Sequence, residues 1–250
     1  MIPSSARESH ATSPGGGREL GGFVMRGRRP VQLRLPEPRR WGGRRRGAGR
    51  KLARARRTPA HRTRPPHRAH HPVLVTLRAR LEVDFLRRGE AHAALVRALS
   101  RASKAWFRVF VYSVQSDHIH LVVEADGRTA LIRGVQGLAV RCAKAVNRAL
   151  GRKGAVWDHR YHARRLRTPR EVRTALVYVL LNFRKHLRAA PGIDPCSSGA
   201  WFDGWVRPPK PPPGPPPVAP ARTWLARTGW RRAGGPIDPA ESPASSPDRR

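Results

Sequence analysis

His118 and His120 flank Ile119 in the run Ser116-Asp117-His118-Ile119-His120-Leu121-Val122-Val123-Glu124. Side chains of an extended strand alternate between faces, so both imidazoles project on one side while Ile119 turns to the other. Two imidazoles on one face make half of a metal site, but a metal needs further donors, and an isolated His-x-His pair is more often simply solvent-facing. Further along, Tyr178 and Asn182 stand four residues apart in a helical pattern and therefore on one helix face, together with Glu171 and Lys185. The side-chain carbonyl of Asn182 suits a hard divalent ion and supplies the third protein donor, leaving positions for substrate oxygens. A phenol titrates near pH 10, so Tyr178 becomes a nucleophile only where a metal or cation takes up the developing charge. Arg164, Arg165, Arg184 and Lys185 are the candidates for holding phosphates beside it.

These residues need strands and helices to bring them together. Pro72 to Arg78 is β-branched and short and reads as a first strand; residues 88–105 carry Ala91, Leu95, Val96 and Leu99 at helical spacing. Trp106 to Val114 reads as a second strand, and Gln115-Ser116-Asp117 as a tight turn into the histidine strand, 118–125. Thr129 to Leu150 has Leu131, Val135, Leu138, Cys142 and Val146 on one stripe and stops at Gly151. Residues 155–167 read as a short fourth strand. Thr168-Pro169-Arg170-Glu171 combines an N-cap, a proline at the first helical position and a capping-box glutamate, starting a helix that runs to about Ala189. On that helix Val172, Leu176, Val179, Leu180 and Phe183 form the expected core stripe, with Tyr178 and Asn182 well off it. The order β-α-β-β-α-β-α predicts an α+β fold, a ferredoxin-like sandwich with an appended helix, over residues 71–190.

The flanks differ in composition. The chain has 250 residues, 51 Lys and Arg against 16 Asp and Glu, a formal charge of +35, 25 Pro and 23 Gly. Such charge points to a polyanionic partner, nucleic acid first, and such Pro and Gly content to long segments outside any core. Residues 1–70 read as a disordered basic arm in which Arg44, Arg45 and Arg46, set among glycines, can follow a phosphate backbone. Met25 is a second candidate start within it. Residues 191–250 read as an irregular Pro-rich tail, also disordered, with aromatic-basic clusters at Trp201–Trp205 and Trp224–Arg232 that either stack bases or pin the tail to the domain. Cys142 and Cys196 are too few for a disulfide framework or a zinc cage. No apolar run is long enough to span a bilayer, and no signal segment is evident, so a bacterial cytoplasmic, nucleoid-associated protein without a membrane partner is expected.

The His118-Ile119-His120 strand resembles the HUH motif, and Tyr178-Val179-Leu180-Leu181-Asn182 resembles the tyrosine helix of the single-tyrosine HUH transposases, particularly the REP-associated tyrosine transposases. Val156-Trp157-Asp158-His159-Arg160-Tyr161-His162-Ala163-Arg164 is similar to the segment preceding that helix in such chains. The resemblance covers about residues 70–190. It implies a DNA-nicking and joining enzyme in which His118, His120 and Asn182 hold Mg²⁺ or Mn²⁺ and Tyr178 forms a 5′-phosphotyrosine link with single-stranded, hairpin-containing DNA, as a monomer or homodimer. The chain departs from the family where an Asn-Pro pair is common, since Phe183 follows Asn182. Tyr161 is the rival nucleophile. Three other readings stay open: a non-catalytic basic nucleic-acid-binding module, a nuclease in which water attacks, and a degenerate, inactive transposase copy.

Overall fold

The computed structural model describes residues 66–83, 85–184 and 192–242, all within one compact unit spanning 57–250. The expected basic arm up to residue 65, with Arg44, Arg45 and Arg46, lies outside the described residues, as do Lys185 and the stretch to Ala189.

Four strands form: β1 Val73–Arg78, β2 Phe107–Val114, β3 His118–Ala125 and the polar β4 His162–Arg165. The helices are α1 Gly89–Ser100, α2 Arg128–Ala149 and α3 Pro169–Leu181, followed by a one-turn α4, Trp224–Arg227. The strands make one antiparallel sheet in the order β2-β3-β1-β4. The β2–β3 hairpin closes as its turn residues predict, with Gln115 N donating to His118 O at 2.8 Å. Gly151, at φ +60, follows α2, a conformation glycine adopts at little cost.

Period-two alternation divides the sheet into two apolar faces. Val73, Val75 and Leu77 of β1 and Ile119, Leu121 and Val123 of β3 bury against α1 and α2. Leu74, Val122 and Leu166 turn to the opposite face, which α3 covers. In β2 a bulge between Val109 and Val111 shifts the register, so Phe110 and Val111 both face α3, whereas Val109 and Tyr112 both face the α1–α2 core.

The helix start at Thr168 is as expected. Thr168 Oγ1 accepts from Glu171 N at 3.2 Å, Pro169 occupies the first turn, and Glu171 Oε2 accepts from Arg167 N at 2.5 Å. The expectation of a single core stripe on α3 is overturned, because the helix is buried on all sides from Val172 to Leu181 apart from half-buried Arg173 and Thr174.

The cause is the C-terminal segment, which is no disordered tail. Trp205, Leu225, Trp230 and Ile237 pack in the same apolar cluster as α3 and supply a second cover. Asp194 anchors this segment: its carboxylate is fully buried and accepts from Arg87 Nη2 at 2.6 Å, Arg87 Nη1 at 2.9 Å and Ser113 Oγ at 3.2 Å. Its backbone also covers the open edge of β2, where Val114 N donates to Cys196 O and Ala219 N to Val109 O, each at 2.9 Å. An edge satisfied in this way is closed to pairing with other chains. The proline run 208–217 bridges these two contacts. Among the described residues no helix is long and apolar enough to cross a membrane.

Candidate functional site

Strand alternation puts His118 and His120 on the α3 side of β3, with ring centroids 4.5 Å apart. Register places Thr76 of β1 beside His120, and Ser113 of β2 on its other flank. From above, α3 lowers Tyr178 and Asn182 onto the same imidazole. Tyr178 Oη lies 3.2 Å and Asn182 Nδ2 3.4 Å from His120 Nε2. All three are buried, at 8% (Tyr178), 3% (Asn182) and 3% (His120) exposure. Tyr178 is therefore buried, as an ordinary mid-helix core tyrosine is, yet its hydroxyl is turned to the histidine.

The outer nitrogens of both rings are already engaged. His120 Nδ1 lies 3.0 Å from Thr76 Oγ1, and His118 Nδ1 lies 2.6 Å from Asp117 Oδ1. A carboxylate only accepts, so His118 Nδ1 carries the proton of this bond. His120 Nε2 faces the tyrosine hydroxyl and the Asn182 amide, and Nδ1 faces the Thr76 hydroxyl, which can donate or accept. Burial would raise the Asp117 carboxyl, but the hydrogen bond and charge of His118, together with Arg78, hold it below the ordinary carboxylate value. Thr76 and Asp117 were not singled out from the sequence. The signal for Asp117 was its place immediately before the histidine pair; nothing local marks Thr76.

The donor set fits a divalent cation. Among the described residues no three His, Cys, Asp or Glu side chains gather as a metal cluster, so any ion here relies on two imidazoles and an amide oxygen. Imidazole with carbonyl oxygen suits Mn²⁺, and Mg²⁺ when substrate supplies further oxygens. Asn182 would present its oxygen only with its amide turned over, and both histidines have Nδ1 held by a hydrogen-bond partner, the usual support for an Nε2 ligand.

The basic residues divide. Arg164, in register with Leu74, lies on the α3 face with its guanidinium 3.9 Å from Glu171. Arg165, in register with Val73, belongs to the opposite face, where it donates to Pro66 O, so it is not brought to the histidines. Arg184 is committed elsewhere: its Nη1 donates to Glu241 O at 2.9 Å and Ala240 O at 3.1 Å, holding the C-terminal segment. Tyr161 and Ala163 pack toward the α1–α2 core, so the sheet separates Tyr161 from the histidines. His162, in register with Thr76, shares the histidine face with Arg164.

No family model matches the chain, and no curated protein does. Among solved structures the chain is similar to a REP-associated tyrosine transposase bound to a REP hairpin, at 17% identity and a TM-score of 0.42, over 51% of this chain and 74% of that one.

Proposed function

We propose that the chain is a metal-dependent, single-strand DNA nicking and joining enzyme, a transposase of the single-tyrosine HUH type, with Tyr178 as nucleophile. The carrying observation is the meeting at His120 Nε2 of Tyr178 Oη, at 3.2 Å, and the Asn182 amide, at 3.4 Å, from a helix 58 and 62 residues away in sequence. The ferredoxin-like description of the sheet is supported by the strand order β2-β3-β1-β4 with α1 and α2 on one face and α3 on the other.

His118, His120 and Asn182 would hold Mg²⁺ or Mn²⁺, which supplies charge neutralisation of the scissile phosphate when bound. Tyr178 Oη attacks phosphorus, losing its proton as the P–O bond forms. The bond to the 3′-oxygen breaks, and that oxygen takes up, through solvent, the proton that Tyr178 lost and leaves as a 3′-hydroxyl. The 5′-phosphate stays on the tyrosine. Attack by a second 3′-hydroxyl reverses the step, so strand joining needs no external energy. Arg164 holds a phosphate oxygen beside the helix start. Single-stranded DNA containing a hairpin is the substrate, and the charge of +35 draws it in.

A hairpin-bearing single strand incubated with the protein and Mg²⁺ or Mn²⁺ is expected to yield an adduct that survives SDS. The adduct persists in Tyr161→Phe and is lost in Tyr178→Phe. Loss only in Tyr161→Phe refutes the assignment; metal-dependent cleavage with no adduct replaces it with attack by water, and salt-sensitive binding without cleavage with a binding module.

A further inference from the structure

The two histidines have chemically different supports. Thr76 gives His120 Nδ1 a neutral hydroxyl partner at 3.0 Å, whereas Asp117 gives His118 Nδ1 a carboxylate at 2.6 Å. Two main-chain bonds beside that carboxylate fix its place: Asp117 O accepts from Ala79 N at 2.7 Å, and Gln115 N donates to His118 O at 2.8 Å. Its other oxygen lies 3.6 Å from a guanidinium nitrogen of Arg78. Arg78 stands in register with His118 as Thr76 stands with His120, so β1 backs both histidines.

We infer that Asp117 is a positioning residue: it locks His118 into the Nδ1–H tautomer and presents Nε2 to a divalent cation. This inference rests on the proposed metal-dependent reading of the site. An anion at Nδ1 makes Nε2 more electron-rich than a hydroxyl does, and such partners typically account for about 10- to 100-fold in metal affinity. The support is therefore unequal, and Asp117 contributes more to cation binding than the Thr76 hydroxyl.

Two measurements on the full-length protein test it. Mn²⁺ is titrated into the wild type, Asp117→Ala, Asp117→Asn, Thr76→Val and His118→Ala, with free Mn²⁺ followed by electron paramagnetic resonance and folding checked by far-ultraviolet circular dichroism. Long-range ¹H–¹⁵N spectra of the metal-free wild type and Asp117→Ala read the His118 tautomer. The expected result is a loss of affinity of about 10- to 100-fold in Asp117→Ala, a smaller loss in Asp117→Asn and Thr76→Val, and a wild-type His118 protonated at Nδ1 that gains the other tautomer in Asp117→Ala. Wild-type affinity in Asp117→Ala alongside a loss in His118→Ala overturns the role of Asp117 alone, as does a wild-type His118 protonated at Nε2. Unchanged binding in His118→Ala overturns the metal reading itself, and this inference with it.

Discussion

Glu124 stands on the histidine face of β3, four residues after His120, with a fully buried carboxylate. A carboxylate there invites a metal-ligand role, but the structure gives it another. It accepts from Thr223 N at 2.7 Å, Arg222 N at 2.8 Å and Arg108 Nε at 3.3 Å, tying the start of α4 to the sheet. Truncating one partner of a buried ion pair costs about 3–5 kcal/mol, and a hydrogen bond to a charged group is worth about 1.5–3 kcal/mol. Arg108 is not stranded by the loss, since Nη1 donates to Ala105 O at 2.5 Å and Nη2 lies 3.6 Å from Asp126. Glu124→Ala should therefore cost about 4 kcal/mol, in the middle of the range, because two backbone donors lose their partner along with Arg108. Glu124→Gln keeps one accepting oxygen and should cost about 2 kcal/mol. At this chain length each kcal/mol lowers Tm by about 2–4 °C, so the alanine variant melts about 8–16 °C early. Urea denaturation followed by tryptophan fluorescence and circular dichroism measures both variants. A loss below about 1 kcal/mol in Glu124→Ala would refute the reasoning, and so would fluorescence that changes well before the dichroism, since the C-terminal segment would then unfold apart from the sheet.

Other consequences follow from burial and close approach. Gly134→Ala places a Cβ 2.2 Å from the Phe107 ring and should destabilise by about 1–3 kcal/mol, whereas Gly137→Ala, on the same helix with nothing within 4 Å, should stabilise by up to about 1 kcal/mol; thermal melts of the pair separate crowding from helix propensity. Burial, then the Arg87 charge, lowers the His92 pKa below its ordinary 6.5, and Asp194 only partly opposes this. The unfolded chain then binds the extra proton first, so the stability His92 contributes is complete above pH 6.5 and is lost as pH falls through the folded value. His92→Gln should flatten the stability profile between neutral and mildly acid pH, and a profile as steep as the wild type's would count against it. Burial pushes the Cys142 thiol up to about 12, so a maleimide should leave Cys142 unlabelled in the folded protein at pH 8 and label it in urea; rapid native labelling would contradict its burial on the core face of α2.

The elements that carry the site are written locally, and that is why they could be read. Alternation across 118–125 assigned the histidines to one face, and the four-residue spacing of Tyr178 and Asn182 assigned them to one turn; both are periodicities of the backbone itself. What escaped depends on partners remote in sequence. Thr76 meets His120 across 44 residues, and Glu124 meets Thr223 across 99. The stripe on α3 misled because an amphipathic reading assumes one wet face, and here Trp230 and Ile237 cover that face. Arg165 and Arg184 were grouped with Arg164 by composition, yet a single step along β4 puts Arg165 behind the sheet, and the carbonyls after Pro239 draw Arg184 away.

The bulge in β2 sets what kind of change the site tolerates. Because Phe110 and Val111 both face α3, the strand re-enters its alternation one step late, with Ser113 beside His120 and Tyr112 and Val114 inside the α1–α2 core. The two residues fill the place of one, so losing either Phe110 or Val111 would restore an even alternation with Tyr112 and Val114 still inside and Ser113 still beside His120. The bulge is thus the one place in β2 where the strand can lose a residue without turning its later side chains over. A one-codon deletion there should leave the histidine pocket in place and cost only apolar contact with α3.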